Sequence, residues 1–390
     1  MDTVETTEQK ELDTELDIPR RRRPLPIILL CLAVLAVIAA AVWFTGRNRS
    51  YKQAELGETQ EIPAVGQVEM APFAGGVLRY SSDGASLIDC DGTERWNISY
   101  TMNSPHLVTQ GNCGALADLA GTRVVVFSSG GLSGSYTTAL PILAIAVSGH
   151  GVTAVALDNS LNSQIRLYDS KGSQLDILIS LEMSMSGYPL ALALSPDGNG
   201  LVVSTVSSNI GALNSQLVFY NFSVGKNETN RLVGYFNYPG HLLPQVDYLN
   251  AKRVVAVTDD RVEVFSLAQE NKPQLIKTVM LPGEISSYSV GEDHFAFLCP
   301  DRGTGELKLS VYTADGEPCF SETANGAARN LALTAYGTLL LTDQGLKYWS
   351  YTGKTCYSGT LARNGQIVLA ESRTRLVQFD GSHIYHYTLK

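Results

Sequence analysis

One short phrase recurs from about residue 81 to the end of the chain. It is an apolar, mostly β-branched run, then Tyr, Phe or Trp, then a polar turn that often holds Gly. It reads Ser-Leu-Ile-Asp-Cys-Asp-Gly at residues 86–92, Arg-Val-Val-Val-Phe-Ser-Ser-Gly at 123–130 and Ile-Arg-Leu-Tyr-Asp-Ser-Lys-Gly at 165–172. It returns at 217–223, 262–267, 309–316, 346–353 and 384–389. The spacing, about 35 to 50 residues, is the length of one four-stranded propeller blade. A single blade leaves an apolar face uncovered, so such repeats must stack and the ring must close. Eight phrases predict an all-β β-propeller of eight blades, or of seven if an end phrase serves only as a closing strand.

Companion strands can be placed around each phrase. Leu190-Ala-Leu-Ala-Leu runs into Ser195-Pro-Asp-Gly198, then Leu201-Val-Val-Ser-Thr-Val206, then the phrase at 216–221. In that turn Pro fixes φ and Gly supplies a positive φ. The continuous apolar runs at 142–147 and 190–194 suit innermost or fully covered strands, while alternation, as in Lys308-Leu-Ser-Val-Tyr312, suits outer ones. Residues 57–72 are patterned loosely and are expected to complete the terminal blade.

The start of the chain is of a different kind. Residues 2–18 hold seven acids and one base, a solvated cytoplasmic tail by composition. Arg20, Arg21, Arg22 and Arg23 follow, and then the uncharged run from Ile27 to Phe44. At 1.5 Å rise per residue this run, with its neighbours, just crosses a hydrocarbon core of about 30 Å. Trp43 falls where an interfacial ring is favoured, and the arginines set the N-terminus inside. The expected organisation is a tail over residues 1–23, one transmembrane α-helix over 24–45, a linker over 46–56 and an extracytoplasmic propeller over 57–390. A cleaved signal peptide is the rival, but the apolar run continues past Ala39-Ala40-Ala41 and is long for an h-region.

Charged residues make up 17 %, and the 35 glycines suit a β-rich body with tight turns. The net charge is −9, and residues 53–390 alone carry −10, which disfavours nucleic acid as a partner. Of six cysteines, Cys31 lies in the apolar run. The other five are an odd number without a Cys-x-x-Cys spacing, so no zinc ribbon is indicated. Cys319 and Cys356 hold equivalent places in consecutive repeats, where pairing is open.

Residues 77–84, Leu87-Ile-Asp-Cys-Asp-Gly92 and Arg95-Trp96 resemble a quinoprotein-type propeller blade. The Ser-Pro-Asp-Gly turn is similar to those of WD-type and translocation-protein-type propellers. With the tail, arginines and apolar run, the whole chain resembles a family of uncharacterised single-pass, membrane-anchored propeller proteins of Gram-positive bacteria. The quinoprotein Trp recurs only at Trp96 and Trp349 and no adjacent Cys pair exists, so no quinone cofactor is expected.

Chemistry-bearing motifs are sparse. The six histidines, His106, His150, His241, His294, His383 and His386, include no His-x-x-x-His pair, and no metal is assigned to them. There is no Gly-x-Ser-x-Gly elbow and no phosphate loop. Asp89-Cys-Asp-Gly92, Asp301-Arg-Gly-Thr-Gly-Glu306 and Asp259-Asp260 read as hairpin turns rather than calcium cages. Most of the 18 tyrosines are expected between blades, with Tyr136, Tyr188 and Tyr238 as candidate recognition residues on longer loops. The expected role is a non-catalytic scaffold or ligand-binding module in the cell envelope, with no cofactor and no catalytic residues. The alternative is a hydrolase of an envelope glycan or peptide, which two or more acids or histidines converging in the central channel would favour.

Overall fold

A computed structural model describes residues 32–37, 49–63, 68–160, 162–182, 187–209, 212–223, 231–269, 272–301 and 303–390. Residues 32–37 are helical, with Leu32, Val34, Leu35 and Val37 exposed. Among the described residues no helix is long and apolar enough to cross a membrane. The expected tail, Arg20–Arg23, Ile27, Trp43 and Phe44 lie outside the described residues.

Ser50–Lys390 is one compact unit of eight four-stranded antiparallel sheets. Seven are formed from consecutive strands, in blades at residues 69–99, 105–137, 142–182, 188–239, 245–280, 287–324 and 328–359. The eighth takes three strands from the C-terminus (residues 367–389) and its outermost strand, Ala54–Glu61, from the start of the propeller. The recurring sequence phrase is the third strand of every blade, from Gly84–Ile88 in blade 1 to His383–Leu389 in blade 8. Eight blades is therefore the count.

Side chains alternate across a strand, so a strand between two neighbours must offer apolar groups on both faces. That is why the second strands, such as Gly76–Tyr80 and Thr153–Leu157, are buried at every position. The apolar inner strands are less covered, because their free edge meets the channel. Alternation is cleanest in the outermost strands, for example Gln174–Glu182. The Lys308–Tyr312 run belongs instead to a third strand with a buried middle.

The core is a series of eight apolar seams, one between each pair of successive blades. Leu87 and Phe127 share the seam of blades 1 and 2, Phe219 and Phe265 that of 4 and 5, and Val77 and Phe379 that of 8 and 1. The last of these closes the circle.

The turn after the phrase has a common build in blades 1, 3, 6 and 7. In blade 3 the Gly172 amide donates to the Asp169 carbonyl, and Asp169 Oδ1 accepts from the Lys171 and Ser173 amides at 2.9 and 2.8 Å. Gly172 takes φ +92°, which an L side chain adopts only at a cost.

The loosely patterned stretch at 57–72 divides between two blades. Ala54–Glu61 closes blade 8, whereas Glu69–Phe73 opens blade 1. The expected linker is largely built in as well. The Tyr51 amide donates to the Cys356 carbonyl at 2.6 Å, Lys52 to the Lys390 carbonyl at 2.8 Å, and Ser50 Oγ to the Thr355 carbonyl at 2.9 Å.

Candidate functional site

The inner strands converge on the axis, and there the described residues leave two adjoining cavities of about 520 and 670 Å³ that share Thr109, Gln110, Gln245, Asp247 and Tyr248. Among the described residues, blades 3 and 4 contribute aliphatic residues, at 143–147 and 190–194, but the lining surface as a whole is mostly polar. The polar groups come from blades 2, 5 and 6.

Gln245–Asn250, the inner strand of blade 5, buries Val246 and Tyr248 in the seam toward blade 4. Gln245 and Asp247 stand two apart and therefore share the opposite face. The Gln245 Nε2 donates to Asp247 Oδ2 at 2.9 Å. The other Asp247 oxygen has no hydrogen-bond partner among the described residues. Asp247 touches channel space but is enclosed by protein on nearly every side, and in a narrow channel the enclosure governs its solvation. Desolvation pushes its carboxyl up to about 7, against the pull of the Gln245 amide.

Tyr288, on the inner strand Ser287–Val290 of blade 6, also lines this space. Its hydroxyl is buried without a hydrogen-bond partner among the described residues. Burial, and then the negative charge of Asp247, drive its phenol well above the ordinary range. His106, on the inner strand of blade 2, is held below its usual value by burial, with Glu69 opposing, so its ring is neutral at pH 7. Glu292 lies at one mouth, just past the inner strand of blade 6. His106, Asp247 and Glu292 line one channel, but no hydrogen bond or ion pair joins any two of them. Among the described residues no lysine or arginine lines either cavity.

A second cluster lies on the surface of blade 5, where His241 Nδ1 stands 3.0 Å from Asp259 Oδ1 and 3.6 Å from Asp260 Oδ1. Asp259-Asp260 is the expected hairpin, and the structure brings His241 to it. The Arg261 guanidinium already takes both Asp260 oxygens at 2.9 and 3.1 Å and donates to Glu263 at 2.8 Å. That cation fills the role a metal would play, so the cluster fits a metal poorly. Asp301 spends its carboxylate on the Gly303 and Thr304 amides, at 2.8 and 3.1 Å, and Asp89 on Arg95. Both are turns, as the sequence implied.

The three candidate recognition tyrosines are not brought together. Tyr136 sits on an outermost strand, stacked on Tyr168 at 4.3 Å, its hydroxyl 2.6 Å from Thr153 Oγ1. Tyr238 is buried in the seam of blades 4 and 5 and donates to Glu263 Oε2 at 2.6 Å. Both are interior packing groups instead of loop tips, because each ring bridges two strands. Tyr188 opens the inner strand of blade 4 and is half-buried.

Cys90, Cys113, Cys299, Cys319 and Cys356 are free. Cys319 and Cys356 belong to different seams and do not pair. Burial raises all five thiols, Cys90 to about 12 and Cys299 to about 11, so none is a reactive thiolate at neutral pH.

Asp247 and Tyr288 escaped the sequence reading. One signal was present: Gln245-Val-Asp-Tyr places an acid inside an inner strand, where residues 142–147 and 190–194 carry none.

The family described as "Family of unknown function (DUF5711)" matches residues 47–388. No curated protein matches the chain. Among solved structures the chain is similar to BamB from Moraxella catarrhalis, at 11 % identity and TM-score 0.48, over 86 % of this chain and 100 % of that one. It is also similar to Kuenenia stuttgartiensis hydrazine synthase, at 11 % identity and TM-score 0.47, over 73 % and 94 % of the two chains. The Neurospora crassa Pan2 WD40 domain matches at 12 % identity and TM-score 0.42, over 73 % and 88 %.

Proposed function

As the chain belongs to this family of unknown function, we propose that it is a non-catalytic, membrane-anchored propeller that serves as a protein-interaction scaffold in the cell envelope. The observation that carries this reading is an apolar outer edge on two successive blades. Leu232 and Tyr235 on the outermost strand of blade 4 are 40 and 60 % exposed, and Leu275, Ile276 and Met280 on that of blade 5 are 42, 40 and 65 % exposed. The two strands run close: a side chain at Gly234 would meet the Pro273 ring at 2.6 Å. Each is bonded to its sheet on one side only, which leaves a free edge for pairing. Exposed apolar groups beside an unpaired strand favour a protein partner.

The anchoring part of the reading rests on Arg20–Arg23 and the run from Ile27 to Phe44. If residues 24–45 span a membrane, residues 46–49 give a tether of about 14 Å at full extension.

The test places a photo-crosslinking amino acid at Tyr235, at Met280 and, as control, at Glu322 on the outer strand of blade 6. The same envelope protein captured from the first two and not from the third supports the reading. Equal labelling from all three removes it.

One observation favours the hydrolase reading. A carboxyl poised near 7, as in Asp247, suits general acid–base work. Turnover of an envelope glycan or peptide that Asp247→Asn abolishes would establish that reading in place of the scaffold.

A further inference from the structure

We propose that the central channel is a binding site for a small organic cation, a protonated amine on an apolar body, whose ammonium is taken by the free carboxyl oxygen of Asp247 and the unpartnered hydroxyl of Tyr288. This site is separate from the outer docking edge, and either proposal stands if the other fails.

A buried polar group without a partner costs free energy, and native proteins keep few of them. The Tyr288 hydroxyl is one such group here, and the second oxygen of the half-buried Asp247 carboxyl, on the adjacent blade, has no partner among the described residues and is close enough for its charge to act on the phenol. Both offer acceptor oxygens. The rest of the lining selects the ligand. Aliphatic residues of blades 3 and 4, with Leu107 and Val108 of blade 2, border the space and can meet a hydrocarbon body, within a lining surface that is mostly polar. Asp247 lines both cavities and Tyr288 the second, and volumes of about 520 and 670 Å³ are in the range of small-molecule sites.

Charge sets the sign. Among the described residues, the titratable groups facing this space are His106 from blade 2, Asp247 and Tyr248 from blade 5, and Tyr288 and Glu292 from blade 6. His106 is neutral at pH 7, both phenols stay protonated, and no cation is among them. Of the remaining inner strands, Glu69 of blade 1 acts on His106, and Arg329 of blade 7 borders a separate cavity beside Asp343. An anion would find no cation among the described lining residues, whereas an ammonium would supply the charge that Asp247 lacks.

Binding the ammonium requires the ionised carboxylate. A raised carboxyl must therefore release its proton to the solvent as the ligand enters. The apparent affinity should fall about tenfold per pH unit below about 7 and level off above it.

The experiment titrates the full-length protein with cyclohexylammonium, cyclohexanol and cyclohexanecarboxylate by calorimetry, at several pH values. Cyclohexylammonium should bind at least about tenfold more tightly than either isostere. Asp247→Asn should cut that affinity about tenfold or more, and Tyr288→Phe, which keeps the ring, should weaken it several-fold. A melting curve of each variant confirms that it is folded, and Tyr288→Phe keeps the question open to test if Asp247→Asn is not. Cyclohexanol binding as well as the amine, indifference to both substitutions, or no heat from any probe would overturn the proposal.

Discussion

Tyr238 precedes Pro239-Gly240, and that local sequence reads as a loop-tip aromatic, yet the ring closes over a nearly buried acid. Its hydroxyl donates to Glu263, whose second oxygen takes the Arg261 Nε at 2.8 Å, and the Arg261 guanidinium lies 5.7 Å from the Tyr238 ring centre. Burial and the bond to Glu263 together drive this phenol far above its usual range. Tyr238→Phe keeps the ring and removes one donor from a carboxylate that water barely reaches. The expected cost is about 1–3 kcal/mol of stability, against little change for Tyr235→Phe on the exposed edge, with chemical denaturation as the measurement. Equal effects at the two sites would mean that the Glu263 bond carries nothing. Sequence could not separate these two tyrosines, three residues apart on one strand, because the distinction is made by blade 5, which arrives from elsewhere in the chain. Asp247 was closer to legible, since an acid in an inner strand breaks the apolar pattern. The orphaned state of Tyr288 was not, since it depends on what blades 5 and 6 fail to offer it.

Among the elements, the third strand was the readable one, for a local reason. Its apolar run buries both faces, and the turn after it needs a positive φ that Gly meets, so strand and turn leave a joint signature such as Leu167-Tyr-Asp-Ser-Lys-Gly172. The closing strand Ala54–Glu61, Ala-Glu-Leu-Gly-Glu-Thr-Gln-Glu, has no such run. Its place is fixed by a partner more than 300 residues away, in the register Ala54↔Leu389 to Glu61↔His383. An outermost strand needs only one apolar face, so its pattern is weak and its start was read as linker. The strand nonetheless covers Tyr385, Tyr387 and Leu389, which are buried. A chain that begins at Ser50 should therefore melt close to the full-length protein, because residues 50–53 still bond to Cys356 and Lys390. One that begins at Ile62 leaves blade 8 with three strands and should lose several kcal/mol or aggregate through the bared edge of the strand His383–Leu389. Thermal melts of the two truncations decide the matter. Similar melting temperatures would show that the closing strand is dispensable.

For the whole molecule, the question is what shuts the ring. Eight apolar seams are comparable in kind, but one blade is also stitched from both ends of the propeller. In a stack of repeats each blade is stabilised by its neighbours, so breaking the circle costs a seam and the covalent link across it. A shared strand adds a ladder of hydrogen bonds to the closing blade, and this sets it apart from the other seven. Circular permutation isolates that contribution, because the native ends meet: the Lys52 amide donates to the Lys390 carbonyl at 2.8 Å and the Lys390 amide to the Gln53 carbonyl at 2.9 Å. In one permutant Lys390 is joined to Ser50 and the chain is opened between Ser99 and Pro105, so that every blade is contiguous and only side chains such as Phe73 against Phe127 close the circle. In the other the chain is opened between Ser128 and Gly131, which splits blade 2 and restores a shared strand at a new place. The second should unfold in one transition near the native temperature. The first should melt earlier and less cooperatively, as blades 1 and 2 part. Two permutants with the same melting curve would mean that the seams alone hold the circle, and that the strand taken from the start of the propeller adds nothing to closure.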